Sequence, residues 1–579
     1  MNRFFIQSIP TYKAIFGNTA KDALDSLTPE KVPTFIKVTS YISSVLYLRH
    51  GTSEEDETIR FFEDTLRCTE DGRKIVDWCV LNNISRLNII LPNAFPFLYE
   101  ILFEQYEVDK DECGFDNDDK LLYLKLLLIA NSRLAEAATD TGKEFDADFK
   151  DRLSFQNHFW ALILPQYEKR YPIDFTFEMC RTLIMLSFIE AENKYNKILK
   201  EFLEERGFHN ILGYTLSMGN LLRVYYENRN KNKILCSFPL LPEFEKLFHP
   251  FSFSLPKAKD IQLTTHPILA LDNQFFVLDW NYLAGQVFLG TYFGINGKLK
   301  DAGIIDRHGN TPLKSELGKV MEGHLMKPII ESVFENNSQR MNFDSETNFK
   351  GFPDAIILSG NNVFIFEFKD RLLSEQVFSS HCYSQIANNI DISFKDQGIK
   401  ELVDYIGNFV NEEYKDYFCS YNENGISHIY PIILYTDYRY GIEGGNDYLV
   451  HKFEEEIDRR GKEKGVSSLY KSCVIQPVTF ISLDFFFTTS HLFNSKKLEL
   501  HNLLEEYIVA MMKRRQRMDS YTVKEWEEIP NTFKSFENYF HQYNYIHSSW
   551  DDMSLFLSHD KSIFQKLGND LTQLDMSKQ

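Results

Sequence analysis

Three residues near the middle of the sequence have the types and spacing from which chemistry is built. They are Asp354, Glu367 and Lys369, all within Phe352–Lys369, FPDAIILSGNNVFIFEFK. Ala355–Leu358 is an apolar run bounded by Pro353 and by Ser359-Gly360-Asn361-Asn362, four strong turn formers. Val363–Lys369 is rich in β-branched and aromatic residues, which suit a buried strand. The stretch is therefore predicted to be an antiparallel hairpin. If the turn sets Leu358 opposite Val363, then Ile357 meets Phe364, Ile356 meets Ile365, Ala355 meets Phe366, and Asp354 meets Glu367. Opposed residues have Cβ atoms roughly 4.5–5.5 Å apart, so two carboxylates face each other. Side chains alternate along a strand, so Lys369 shares the face of Glu367. Charges gathered at the end of an apolar ribbon are costly unless something compensates them. A divalent cation held by Asp354 and Glu367 does so. Hard oxygen ligands with no Cys or His among them point to Mg²⁺ or Mn²⁺. The plainer alternative is a surface hairpin whose Glu and Lys form a solvated pair.

Pro353-Asp354 followed by Glu367-Phe368-Lys369 resembles the signature of the PD-(D/E)xK nuclease superfamily, over about residues 311–490. The resemblance implies a restriction-endonuclease-like α/β core with a mixed sheet. It implies Asp354 and Glu367 as metal ligands, and Lys369 as catalytic base or water-orienting group. Members of the superfamily often carry a glutamate on a helix ahead of the sheet, facing the metal directly or through water. Glu322 in GKVMEGHLMKPII is the candidate for that role, with Glu316 as fallback. An ordinary solvated helix glutamate is the other reading of Glu322. RecB-like members carry Gln-x-x-x-Tyr after the lysine strand. Here Glu401 stands in the glutamine position and Tyr405 in the tyrosine position. An amide donates hydrogen bonds, whereas a carboxylate only accepts them or binds metal. The implied activity is metal-dependent endonucleolytic hydrolysis of phosphodiester bonds in DNA, with Mg²⁺ or Mn²⁺ as cofactor. A large helical domain joined to such a nuclease implies, by analogy, antiviral defence in bacteria. Two alternatives stay open: a catalytically degenerate fold serving as a binding or scaffold protein, and a ribonuclease using the same site.

The elements expected to position these residues follow the chain. Thr311-Pro312 reads as a helix start, and Leu317, Val320, Met321, Leu325, Ile329 and Val333 keep helical spacing through Asn336. After the hairpin, Arg371–Lys400 is polar and loosely patterned, and Glu401–Tyr405 reads as a short amphipathic helix. His428–Tyr435 and Val474–Leu483 are strand candidates, with the charged helix Tyr448–Lys464 between them. That order implies a crossover and a parallel pair. Thr436-Asp437 closes the first of those strands. Leu498–Arg515 is amphipathic and runs into Lys513, Arg514, Arg515 and Arg517. These bases suit a helix C-terminus, or contact phosphate. His381 and Gln385 are not assigned a role.

The N-terminal part reads as mostly helical: Leu121–Ala138 with Asp118 and Asp119 placed for capping, His158–Pro165, Phe175–Asn193, Asn196–Glu205 and Ile211–Tyr226. It is expected to serve as an interaction or regulatory domain. Pro267–Leu271 and Phe275–Trp280 read as strands around the turn Asp272–Gln274, Asn281–Tyr292 as a helix, and Ile295–Asn310, with its glycines, as a loop. The reading is an α+β multidomain chain: a helical domain over 1–250, a strand-turn-strand lead-in over 251–310, a nuclease-like domain over 311–490 and a helical C-terminal segment over 491–579.

A chain of 579 residues exceeds one domain, and 43% hydrophobic residues, with 50 Phe and 30 Tyr, supply real cores. The net charge of −20 excludes a general nucleic-acid coat. A nucleic-acid substrate then needs a local basic groove or a partner that delivers it. The eight cysteines are scattered with no CxxC pair, so neither a zinc site nor a disulfide framework is expected, in keeping with a reducing cytoplasm. No apolar run reaches the roughly 18 residues of a membrane helix. Gly318-Lys319 lacks the earlier glycine of a phosphate-binding loop.

Overall fold

The computed structural model describes residues 9–17, 20–48, 57–82, 85–107, 114–141, 174–211, 237–239, 242–248, 251–254, 263–336, 338–373, 383–421, 425–441, 444–461, 465–517 and 534–540, with a few isolated positions between them. The chain is α+β, with two mixed sheets and long helices. It divides into two compact units. The first is drawn from Met1–Phe145, Pro165–Thr182 and Lys194–Lys298, the second from Asp146–Leu164, Leu183–Asn193 and Leu299–Gln579. No helix among the described residues is long and apolar enough to cross a membrane.

The first unit packs helices around a core that includes Phe35, Phe62, Leu98, Leu126 and Tyr123. Tyr123 does not leave its hydroxyl unmade in that core: it donates to Thr39 Oγ1 at 2.9 Å. The helix expected at Leu121–Ala138 runs Asn117–Thr141, and its cap is Asp116, which accepts from the N–H groups of Asp118 and Asp119. Asp118 and Asp119 themselves lie in the first turn. Asn196–Glu205 is helical as expected, and the preceding helix spans Phe175–Ala191. His158–Pro165 and most of Ile211–Tyr226 lie outside the described residues. Four short strands, β1 (Ser237–Pro239), β2 (Ser252–Ser254), β3 (Ile268–Leu271) and β4 (Gln274–Val277), form a sheet in the order β1-β4-β3-β2. Asp272 and Asn273 join β3 to β4 with φ of 50° and 56°, the left-handed pair that a two-residue hairpin of right-handed strands demands. Trp280 opens a helix rather than ending a strand. That helix runs to Asp301, through most of the glycine-bearing stretch read as a loop.

The second unit is built on a five-stranded sheet, β5 (Arg340–Phe343), β6 (Ala355–Ser359), β7 (Asn362–Lys369), β8 (His428–Tyr435) and β9 (Thr479–Ser482), in that spatial order. β5, β6 and β7 are antiparallel neighbours, and β7, β8 and β9 are parallel. The hairpin register is the expected one, from Ala355↔Phe366 to Leu358↔Val363, and it continues to Ser359↔Asn362. The turn is therefore two residues long, with Gly360 at φ 59° in the first central position, where glycine alone is unstrained. β7 is buried along six consecutive residues, as a strand covered on both faces requires. β9 is shorter than the run Val474–Leu483, of which Ile475 contributes an isolated parallel bridge to Ile429.

Helices cover the two faces. Leu313–Met321 and Lys327–Phe334 form one helical rod joined by the π-helical stretch Glu322–Met326. Phe334 at its end packs on Phe364 and Phe366, with ring centroids 5.2 and 6.1 Å away. The other rod is Tyr383–Ile390, the π-helical stretch Asp391–Ile399 and the helix Lys400–Val410. The stretch read as loosely patterned is thus largely helical. Gly398 passes so close to the sheet that an added Cβ would meet Ile433 Cδ1 at 3.5 Å and Lys369 Cε at 3.9 Å. Alternate residues of β7 serve the two sides: Phe364 and Phe366 face the first rod, Glu367 and Lys369 the second. The helix Gly445–Arg460 supplies the crossover from β8 to β9.

Candidate active site

The site forms where β6 begins and β7 ends. Ala355↔Phe366 is the last paired rung of the hairpin, so the next rung sets Asp354 against Glu367. Asp354 is pinned there: its Oδ2 accepts the Phe368 N–H at 2.6 Å. Glu367 is 3% exposed. Its Oε1 accepts from Lys369 Nζ, and its Oε2 has no hydrogen-bond partner. A buried carboxylate oxygen left without a donor is uncommon and costly, which is the mark of a group kept for something other than folding. Lys369 Nζ also donates to Glu401 Oε2 at 3.0 Å. The ammonium is therefore shared by two carboxylates from two elements.

Burial is the first cause of the carboxyl shifts here. Asp354 is pushed up to about 6 by burial, opposed by the Phe368 N–H and by Lys369. Glu367 is held well above the usual carboxylate range by burial and then by the charge of Asp354. Burial alone would lower Lys369, but the Glu367 and Glu401 carboxylates outweigh it and keep the ammonium protonated. Glu322 lies at the start of the π-helical stretch and is half-buried. It is pushed up to about 7 by burial, then by the charges of Asp354 and Asp344. Tyr405 stands one turn beyond Glu401. Its phenol is raised by burial and then by Glu367, Glu401 and Asp354, so it stays a hydrogen-bond donor.

The structure thus brings Asp354, Glu367, Lys369, Glu322, Glu401 and Tyr405 to one end of the sheet. Glu316 lies two turns before Glu322 on the same rod, and Gln385 is exposed. His381 and the side chains of Arg514, Arg515 and Arg517 lie outside the described residues. Lys513 is exposed and lines a groove with Asn502, Glu505, Glu506, Val509, Ala510 and Tyr539, which contains none of the site carboxylates.

Sequence reading missed β5 and, with it, Asp344. The Asp344 N–H donates to the Asp354 carbonyl at 3.3 Å, and its charge acts on both Asp354 and Glu322. The signal was present as FDSET after RMNF, but a strand this short and half polar carries little pattern. Beyond the site, the sheet end is closed by further polar pairs. Thr436 donates to Asp370, and buried Asp437 accepts from the Leu373 N–H at 2.8 Å and from Arg439 at 2.7 Å. These fix the chain as it leaves β7.

The donors suit a hard divalent cation: carboxylate oxygens alone, one of them buried and unpartnered. Among the described residues, no group of three or more His, Cys, Asp or Glu side chains already stands as a metal cage. Comparisons with protein-family models, curated proteins and solved structures gave no match to this chain.

Proposed function

We propose that this chain hydrolyses phosphodiester bonds in a divalent-cation-dependent reaction and that DNA is its substrate. The observation that carries the reading is Glu367: 3% exposed, one oxygen without a donor, and one rung from Asp354. Asp354 and Glu367 would hold Mg²⁺ or Mn²⁺, and Glu322 would complete the ligand set directly or through water. A cation so bound polarises the phosphoryl oxygen and lowers the pKa of a bound water.

The remaining work belongs to the side chains. Lys369 is protonated, so it serves as a donor: it orients the attacking water or stabilises negative charge developing on the phosphoryl oxygens. Tyr405 offers a second donor from the helix beside it. Glu322, poised near neutrality, exchanges a proton in the pH range where a general base is effective. The net charge of −20 means that substrate must arrive by a local basic surface or on a partner, and the first unit is proposed to provide that partner contact.

A second reading has one observation in its favour. Lys369 is held by both Glu367 and Glu401, which suits a nuclease fold retained as a binding or scaffold protein. The test is incubation of the purified chain with supercoiled plasmid, single-stranded DNA and structured RNA, in Mg²⁺ and in EDTA. Metal-dependent cutting of DNA, lost in Asp354→Asn and Lys369→Ala, is the expected result. Cutting confined to RNA makes the chain a ribonuclease with the same site. No cutting of any substrate in Mg²⁺ or Mn²⁺ overturns the enzymatic reading and leaves the scaffold one.

A further inference from the structure

We infer that Asp344 belongs to the same site, so that Asp344, Asp354 and Glu367 form one rung of carboxylates across three adjacent strands and together bind the divalent cation. This rests on the cation-dependent reading above and extends it to a residue outside the sequence signature. The register carries the argument. Phe343 pairs with Ala355 and Ala355 with Phe366. The Asp344 N–H bond to the Asp354 carbonyl, at 3.3 Å, continues the ladder by one residue. Asp344, Asp354 and Glu367 therefore follow one another across β5, β6 and β7. Directly opposed residues of antiparallel strands share a face.

An ordinary structural role for Asp344 is not evident in its contacts. It opens a short 3₁₀ turn, yet the turn is closed by its backbone carbonyl, which accepts from the Thr347 N–H. Its carboxylate makes no hydrogen bond or ion pair among the described residues, whereas its neighbour Glu346 pairs with Lys327 at 2.6 Å. A row of acids alone is not a site. The independent sign of a ligand is Glu367 Oε2, buried, without a donor, and on the same rung. Uncompensated carboxylates repel one another, which accounts for a rung that is aligned but not drawn into a cage. A cation reverses that force.

The test is direct binding of Mn²⁺ to the full chain, followed by electron paramagnetic resonance. Wild type, Asp344→Asn, Asp354→Asn and the neighbouring control Glu346→Gln are compared. Asp344→Asn is expected to weaken Mn²⁺ binding by about tenfold or more, on the scale seen when metal sites lose a supporting group. Glu346→Gln is expected to leave it within about twofold. Asp344 is exposed, so its amide variant should melt in EDTA at or above the wild-type temperature, which excludes misfolding as the cause. Wild-type affinity in Asp344→Asn, with affinity lost in Asp354→Asn, overturns this inference and leaves the broader reading standing. Failure of the wild type to bind Mn²⁺ overturns both.

Discussion

Asp354→Asn should stabilise the metal-free protein while removing its response to metal. The cost it relieves can be worked from the structure. Burial raises the Asp354 carboxyl from 3.8 to about 6. A difference of about two pH units corresponds to about 3 kcal/mol between the two protonation states. The side chain is only half-buried, so water reduces the figure to the order of 1–3 kcal/mol. The sign follows from linkage. A carboxyl raised in the folded state holds its proton more tightly there than in the unfolded chain. Folded stability is therefore greatest at low pH and is lost as pH rises through about 6. Asparagine carries no charge, and its carbonyl oxygen can still accept the Phe368 N–H. In EDTA at about pH 8, the variant should outlast the wild type in urea by roughly that amount. At about pH 4 the wild-type carboxyl is protonated and the advantage should vanish. Adding Mg²⁺ should stabilise the wild type by mass action and leave the variant unmoved. A variant less stable than wild type in EDTA at about pH 8, or one that gains as much from Mg²⁺, would refute the electrostatic reasoning.

Three further outcomes are expected. Lys369→Ala strips the buried Glu367 of its ammonium and should cost about 3–5 kcal/mol in EDTA. Urea unfolding should show this cost falling when Mg²⁺ is added, with cleavage still absent. Glu401→Gln frees Lys369 from its second partner. Because Glu401 is 42% exposed, stability should change by less than about 1 kcal/mol, while plasmid nicking matches or exceeds wild type. Phe334→Ala opens a cavity against Phe364 and Phe366 and should cost about 3–5 kcal/mol by the same unfolding assay, in Mg²⁺ and EDTA alike.

The parts legible in the sequence were those where local pattern and tertiary need agree. The hairpin register follows from one turn and two apolar runs, and β8 is an unbroken apolar strand from His428 to Tyr435. The helix before the sheet kept its spacing, which placed Glu322. What escaped notice has physical reasons. β5 is a short edge strand, only partly buried, and with it went Asp344. The rod from Tyr383 to Val410 was hidden because its π-helical middle, Asp391–Ile399, has no 3.6-residue period. The loop expected over 295–310 is helix as far as Asp301, because packing outweighs the modest propensity cost of Gly297. The joint clamp of Glu367 and Glu401 on Lys369 joins residues 32 apart in sequence and is a product of the fold.

The most direct measurement is anomalous diffraction from crystals soaked in Mn²⁺. The account predicts a peak at the end of β7, with carboxylate oxygens of Asp354 and Glu367 about 2.0–2.3 Å from it and Lys369 turned away from Glu367. An empty map at that rung, with Lys369 still bridging Glu367 and Glu401, would contradict it.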